Sequence, residues 1–464
     1  MERYVLKYLM DSTHDEWRKR YYDYMKLQLD STLWAFGNNS FINLERTIEH
    51  QENFVIPRKG TISGVFGILR RAFDRKFLKR KRLQKQAAIQ TSNIDAAQLS
   101  CDYKVFSAFH LPWLLPDKSV KKINEVGIYI DFISDTSKPW SQSIVRMQNW
   151  YNSMKLLPFN ELNSEVRVQE LKVIYDQLVE DFRNTDYDAV LLFSTELFEA
   201  KVLVDVFRDI GKVSMELLHG IPGSTLLMEA GKVDYFLVYG EQLKRDAISM
   251  GCDPKKLYVA GDCKYVDDFH TPKQLRCSMD DVVVMTSATF REYKSEWEYD
   301  QFALNDRSLL ITYLYSVKNV LKQNGITHAR LRPHPHVMKN WLSKYIDTDF
   351  YELDYLGLEE SLDKATCCIG QNSTVVLEAI NHGVSYIVYE PGDGKHFITG
   401  GKLYPPFDGS NAGLKVANSE EELDTMIKER YCPSTELGKQ YIEPFKPEVI
   451  REILACERAK SQKE

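Results

Sequence analysis

The chain of 464 residues has no Cys-x-x-Cys pair and no histidine pair at ligand spacing, which removes a zinc site and a dithiol redox motif from consideration. Nowhere do about eighteen apolar residues run together, so no bilayer-spanning helix is expected. The opening MERYVLKYLMDSTHDEWRKR lacks the apolar stretch of a secretion signal. Excess charge of one sign is also absent. Sixty basic against sixty-six acidic residues leave a formal net charge of -6, so the chain as a whole has no bias toward nucleic acid, and none is expected as a partner. The eight cysteines fit a reducing compartment, with the adjacent Cys367 and Cys368 read as small apolar residues of a buried strand. The expected location is cytoplasmic, or peripheral on the inner face of the cytoplasmic membrane.

What is present is ample core material: 44% hydrophobic and 12% aromatic residues against 27% charged ones, at a length that calls for two or three domains. Residues 1–100 read as a helical, basic region. Within it, Gly60 to Gln86 combines an apolar helical stripe (Val65, Ile68, Leu69, Phe73, Phe77) with dense positive charge from Arg70 to Lys85. Two readings stay open for this segment: a helix lying on anionic lipid or facing a polyanionic acceptor, and a solvated basic helix packed on its own domain.

From about residue 103, short apolar runs alternate with helical patterns, the signature of βαβ units and parallel sheets. The strand candidates of a first layer are 126–133, 188–194, 212–218, 233–240 and 257–261, with helices at 161–183, 196–210 and 241–251 between them. A polar linker then precedes a second set of strands at 281–289, 328–333, 365–370 and 384–391. The predicted fold class is α/β, with two Rossmann-like domains facing a cleft, a helical N-terminal extension and C-terminal helices. Residues 101–272 form the N-terminal Rossmann-like acceptor domain, 280–418 the C-terminal nucleotide-donor domain, and 419–464 helices packing back on the N-terminal half.

Ligands of open α/β sheets bind beyond the carboxyl ends of the strands, which makes the residues there the site candidates. RLRPHPH closes one strand and puts Arg332 and His334 on a turn stiffened by two prolines, where a guanidinium fork and a ring N–H suit phosphate oxygens. In CCIGQNSTVVLEAI, a strand runs into Gln371 and Asn372, and Ser373 with Thr374 opens a helix whose free N–H groups suit an anion. Ser/Thr is equally the ordinary helix cap. LLHGIPG delivers His219 and a glycine turn, a candidate general base beside an approachable backbone. VVVMTSAT offers Ser287 and Thr289 at a further strand-to-helix turn, as phosphate ligands or as caps.

A strand-ending His-Gly, a later His-Pro and a downstream Ser-Thr helix start resemble bacterial GT-B glycosyltransferases of surface polysaccharide synthesis. These include the sialyl- and Kdo-transferases of capsule and lipo-oligosaccharide assembly and, more distantly, the CDP-glycerol glycerophosphotransferases. The resemblance covers roughly residues 185–395. It implies a metal-independent, inverting transfer of a sugar from a nucleotide donor, CMP-linked sialic acid or Kdo, to a glycan or glycolipid acceptor, with no cofactor beyond that donor. His334, Ser373 and Thr374 would bind the donor's cytidine phosphate, His334 would help it leave, and Glu378 and Glu390 would lie near the ribose or base. The acidic base motif of the sialyltransferases is missing. His219-Gly-Ile-Pro222 instead matches the HG-x-P pattern of the polyol-phosphate enzymes, so His219 is the expected base, with Asp131 or Asp135 as carboxylate alternatives. Two other enzyme readings remain: a CDP-polyol phosphotransferase, and a UDP-sugar 2-epimerase, to whose layout the stretch 240–262 is similar. A non-catalytic glycan-binding scaffold is the reading from outside the enzymes.

Overall fold

A computed structural model describes residues 2–25 and 101–462, except 155–156, 158, 196, 221–229, 267–271, 273, 287–306, 335–341, 393 and 398–401. The basic segment 60–86, Ser287 and Thr289 lie outside the described residues. Among those described, no helix is long and apolar enough to cross a membrane.

The first sheet contains β1 (Tyr103–Ser107), β2 (Ile128–Phe132), β3 (Ala189–Leu192), β4 (Val213–Leu217), β5 (Tyr235–Val238) and β6 (Leu257–Val259), in the order β2-β1-β3-β4-β5-β6. The second contains β7 (Val282–Met285), β8 (Ala329–Arg332), β9 (Tyr351–Leu353), β10 (Cys367–Gly370), β11 (Ser385–Tyr389) and β12 (Val416–Ala417), ordered β12-β11-β10-β7-β8-β9. Every strand pair in both is parallel. Central strands such as β3, β7 and β10 are buried at every position because helices cover both faces, which is why they read as unbroken apolar runs rather than alternating ones. Cys367 and Cys368 are fully buried within β10.

The strand order reverses direction once in each sheet, between β1 and β3 in the first and between β7 and β10 in the second, and such switch points open a crevice at the carboxyl edge. The two-domain, doubly parallel α/β arrangement is GT-B-like. Three short strands go beyond the sequence expectation. β1 sits where the α/β pattern was expected to begin, whereas β9 and β12 are edge strands of three and two residues, too short to impose a periodicity. The helix expected from 161 starts only at Glu165, after a separate turn at 159–162, and then runs to Arg183.

The N-terminal residues 16–25 are helical and dock on the first domain through named contacts. Trp17 donates to the Val168 carbonyl (3.1 Å), Arg20 pairs with Asp209 (2.7 Å), and the Tyr24 hydroxyl donates to Asp205 (2.6 Å). At the other end of the chain the helix Pro447–Ser461 lies against the first domain, with Arg451 on Asp102 (2.6 Å), Arg458 on Asp188 (2.8 Å) and Tyr235 on Glu457. The segment leading to it lies along the first domain's exit. Asp262 N donates to the Glu443 carbonyl (3.1 Å) and Lys446 N to the Ala260 carbonyl (2.7 Å). Gly261, at φ +77°, is required there, because a side chain would run into the Pro444 backbone.

Candidate active site in the interdomain cleft

At the carboxyl edge of the second sheet, β7 ends at Met285, with Thr286 just beyond, and β8 ends at Arg332. The Thr286 hydroxyl accepts from His334 N (3.1 Å), which ties the Pro-bracketed turn to the neighbouring strand end. Beside it, β10 ends at Gly370, which admits no side chain because an added Cβ would sit 2.8 Å from the Met285 carbonyl and against the Tyr386 hydroxyl. Gln371, almost fully buried, accepts from Tyr386 through its carbonyl (3.0 Å). Asn372 N donates to Glu390 (2.8 Å), Ser373 accepts from Val375 N (3.3 Å), and the short helix Val375–Asn381 begins after Thr374. Ser373 thus makes a local turn contact, and Thr374, at the N-cap position, makes no side-chain cap bond to the helix.

In the first domain, β4 delivers His219 to the cleft wall, where its ring meets Phe193 edge-on at a centroid distance of 6.0 Å. The residue is open at its surface, yet the protein around it limits hydration and lowers its pKa, a hydrogen bond to the Phe193 backbone opposing the effect. A neutral imidazole at pH 7 is a competent proton acceptor. Around the β1/β3 switch point a cavity of 190 Å³ opens, with apolar Ala108, Ile133, Leu192 and Phe193 on one side and Gln148 and Glu199 supplying polar groups. An apolar wall with a few convergent polar groups suits a small polar ligand with an apolar face.

The two domains meet at this edge. A Cβ on Gly220, which follows His219, would lie 3.1 Å from the Thr374 hydroxyl, so the HG turn of one domain and the Ser-Thr turn of the other face each other closely. Lys264, from the first domain's exit, binds Glu378 of the second at 2.7 Å. Three further groups surround this pair. Burial pushes the Asp262 carboxyl up to about 6 although Lys264 opposes the shift, burial keeps the Tyr265 phenol protonated, and Tyr239 is buried with its hydroxyl unbonded.

Several expected site residues are turned to structural work. Asp131, almost fully buried, is held by Lys138 (3.0 Å) and the Tyr187 hydroxyl (2.8 Å), so it is not a free base at the cleft. Asp135 accepts from Ser137 in a local turn (2.6 Å). Arg332 donates to the Leu356 carbonyl (2.9 Å) and approaches Asp354 at 3.7 Å, pointing along the sheet toward β9 rather than presenting its fork to a phosphate. Glu390 is fully buried and clamps two backbone N–H groups, Asn372 (2.8 Å) and Phe397 (2.9 Å), so it anchors the loops and is not open to a ribose or base. Glu378 is engaged by Lys264. Metal independence is expected from the sequence partly on the absence of an Asp-x-Asp triplet, and that is corrected: the chain has two, Asp186–Asp188 and Asp347–Asp349. Both precede strands, at the amino edge away from the cleft, where Lys104 (2.8 Å), Arg458 (2.8 Å) and Lys318 (3.1 Å) bind them. Among the described residues no group of three metal-binding side chains converges.

Sequence reasoning missed Lys264, whose role depends on a partner in the other domain, and Glu216, a fully buried carboxylate near the end of β4. A lone charged residue within a run such as VSMELL was the available signal for the latter.

No protein-family model matches the chain, and no curated protein does. Solved structures similar to it include the UDP-GlcNAc 2-epimerase of Methanocaldococcus jannaschii in complex with UDP-GlcNAc and UDP (12% identity, TM-score 0.46, covering 76% of this chain and 99% of that one). Another is the UDP-GlcNAc 2-epimerase of Neisseria meningitidis bound to UDP-GlcNAc (11%, 0.43, 76% and 99%). A third is MnaA of S. aureus with UDP (11%, 0.45, 76% and 96%). Of the resemblance expected from the sequence, the coarser part, a GT-B-like arrangement of two parallel sheets in two domains, is what the architecture bears out.

Proposed function

We propose that this chain is an enzyme of nucleotide-activated sugars and that its reaction is of the UDP-sugar 2-epimerase type rather than transfer of sialic acid or Kdo to a glycan. The observation that carries the reading is the close approach of Gly220 to Thr374, reinforced by the Lys264–Glu378 pair, which leaves His219 facing the Ser-Thr turn across a narrow cleft. A cleft closed in this way suits one compact substrate better than a nucleotide sugar together with an extended acceptor. The nucleotide phosphates would lie at the β7/β10 switch point against Thr286, His334 and the 371–374 turn, and the sugar would extend toward His219 and the cavity beside Phe193.

Inversion at C2 requires that the hydrogen on that carbon be removed and returned on the other face. His219, neutral at pH 7, is the group in position to take a proton. Asp131 is held by Lys138 and Tyr187, which leaves His219 as the preferred base over either aspartate. His334 N is already bonded to Thr286, so it fixes the turn. Its ring is the candidate donor to the phosphate oxygen that leaves C1 as the C2 proton is taken, the C1–O bond re-forming when a proton returns to the opposite face of C2.

The test is incubation with UDP-N-acetylglucosamine in D2O, followed by NMR. Deuterium at C2 with formation of the C2 epimer is expected, together with loss of turnover by about 10²-fold or more in His219→Ala and His334→Ala. Normal turnover in both variants would remove the residue assignment. A thermal shift with CMP or CDP and none with UDP, and no exchange at C2, would return the reaction to the transferase reading.

A further inference from the structure

The sequence pattern pairs none of the cysteines, yet the fold brings two of them together at the base of the second domain. Cys277 lies at the end of the linker that leaves the first domain, and Cys432 follows the helix Glu420–Lys428 at the start of the segment that returns to it. Ser385, the first residue of β11, holds both segments. Its N–H donates to the Arg276 carbonyl (2.8 Å), its hydroxyl donates to the Tyr431 carbonyl (2.6 Å), and Arg276 N donates to the Gly383 carbonyl (2.8 Å). The residues following Arg276 and Tyr431, Cys277 and Cys432, are therefore neighbours, near enough for the Cys432 thiol to feel Cys277, while the Cys432 sulfur itself contacts the Arg430 carbonyl (3.7 Å). Both thiols are free and partly open to solvent, whereas Cys367 beneath them is fully buried.

We propose that Cys277 and Cys432 form a reversible redox pair, whose disulfide clamps together the two chain segments that connect the domains. The oxidant is a peroxide. One of the two sulfurs attacks the O–O bond of hydrogen peroxide, giving a sulfenic acid and one water. The other sulfur then displaces the oxygen as a second water and closes the S–S bond, so that two thiols lose two electrons and the peroxide gains them. A dithiol reverses the reaction.

The consequence follows from where the segments run. Beyond Cys432 the returning segment pairs with the outgoing one, Asp262 N donating to the Glu443 carbonyl (3.1 Å) and Phe445 N to the Tyr265 carbonyl (2.8 Å). That pairing fixes the two crossings at the first domain, and the disulfide would fix them at the second, restraining any opening of the cleft.

The full chain, treated with hydrogen peroxide, alkylated and digested without reduction, should yield a Cys277–Cys432 linked peptide that dithiothreitol removes. The peptide should vanish in Cys277→Ser and Cys432→Ser and persist in Cys456→Ser, a change at an exposed cysteine. The oxidised chain should melt higher by several degrees and return to the starting value on reduction, because a link compatible with native geometry restricts only the unfolded chain. Absence of the linked peptide, linkage of either residue to another cysteine or to a second copy, or a lower melting temperature after oxidation would each overturn the proposal.

Discussion

Replacing Lys264 by Met tests the interdomain contact on which the reading of the cleft rests. The Lys264 ammonium sits 2.7 Å from a Glu378 carboxylate whose side chain is 15% exposed, its own side chain being 26% exposed, and Asp262 lies close enough to feel its charge. Met keeps most of the stem's packing, so the change chiefly removes the charge. Breaking a fully buried pair by deleting one partner costs about 3–5 kcal/mol, and partial exposure reduces this to about 2–3 kcal/mol. Two carboxylates would remain in a desolvated site with no cation between them. The loss should thus be largest near pH 7.5 and shrink toward pH 5, where protonation of Asp262, pushed up to about 6 by burial, relieves part of it. Urea unfolding of the parent, Lys264→Met, Glu378→Gln and the double variant at both pH values measures the coupling. A coupling energy below about 0.5 kcal/mol, or a loss that does not diminish at pH 5, would refute the argument that this pair joins the domains.

Asp262, raised to about 6 by burial, opposes folding once it must ionise. Its cost is absent below the unfolded carboxyl value of about 3.9, grows as pH rises to about 6, and persists above. Asp262→Asn should therefore flatten the fall in melting temperature over that window, and an unchanged pH profile would count against it. Gly370→Ala places a methyl 2.8 Å from the Met285 carbonyl and should destabilise by about 1–3 kcal/mol, measured by denaturant unfolding, with Tyr386→Phe failing to rescue it because the backbone clash remains. Gly220→Val forces the His219 turn away from Thr374 and should raise the KM for a nucleotide sugar several-fold while leaving the melting temperature within about 2 °C, which steady-state kinetics and calorimetry would read.

The α/β class, the two successive sheets and most of the strands were legible in the sequence, because strands buried on both faces must be apolar at every position and the helices between them must carry a stripe. VLL, VVVM and CCIG are direct imprints of that burial. The same logic placed His219, His334 and the 371–374 turn at carboxyl strand ends, since an apolar run that stops at a polar residue marks the edge of a parallel sheet. The orientation of the side chains there was not legible. Arg332 and Asp354 come from adjacent strand ends, and Glu390 meets the backbone of Asn372 from the neighbouring strand. These are partnerships of register and crossover that leave no local pattern.

The sequence alone therefore determined the number of sheets, their parallel sense and which residues reach the cleft edge, all consequences of short-range periodicity and of the hydrophobic effect acting on each element. Only the tertiary structure decided which of those residues remain available. It bound Asp131 to Lys138 and Tyr187, committed Glu390 to two backbone amides, joined Lys264 to Glu378 across the domains and set Cys277 against Cys432. Desolvation makes an unpaired buried charge costly, so each such group takes the partner that packing brings to it, and that partner is chosen by the three-dimensional arrangement of distant segments.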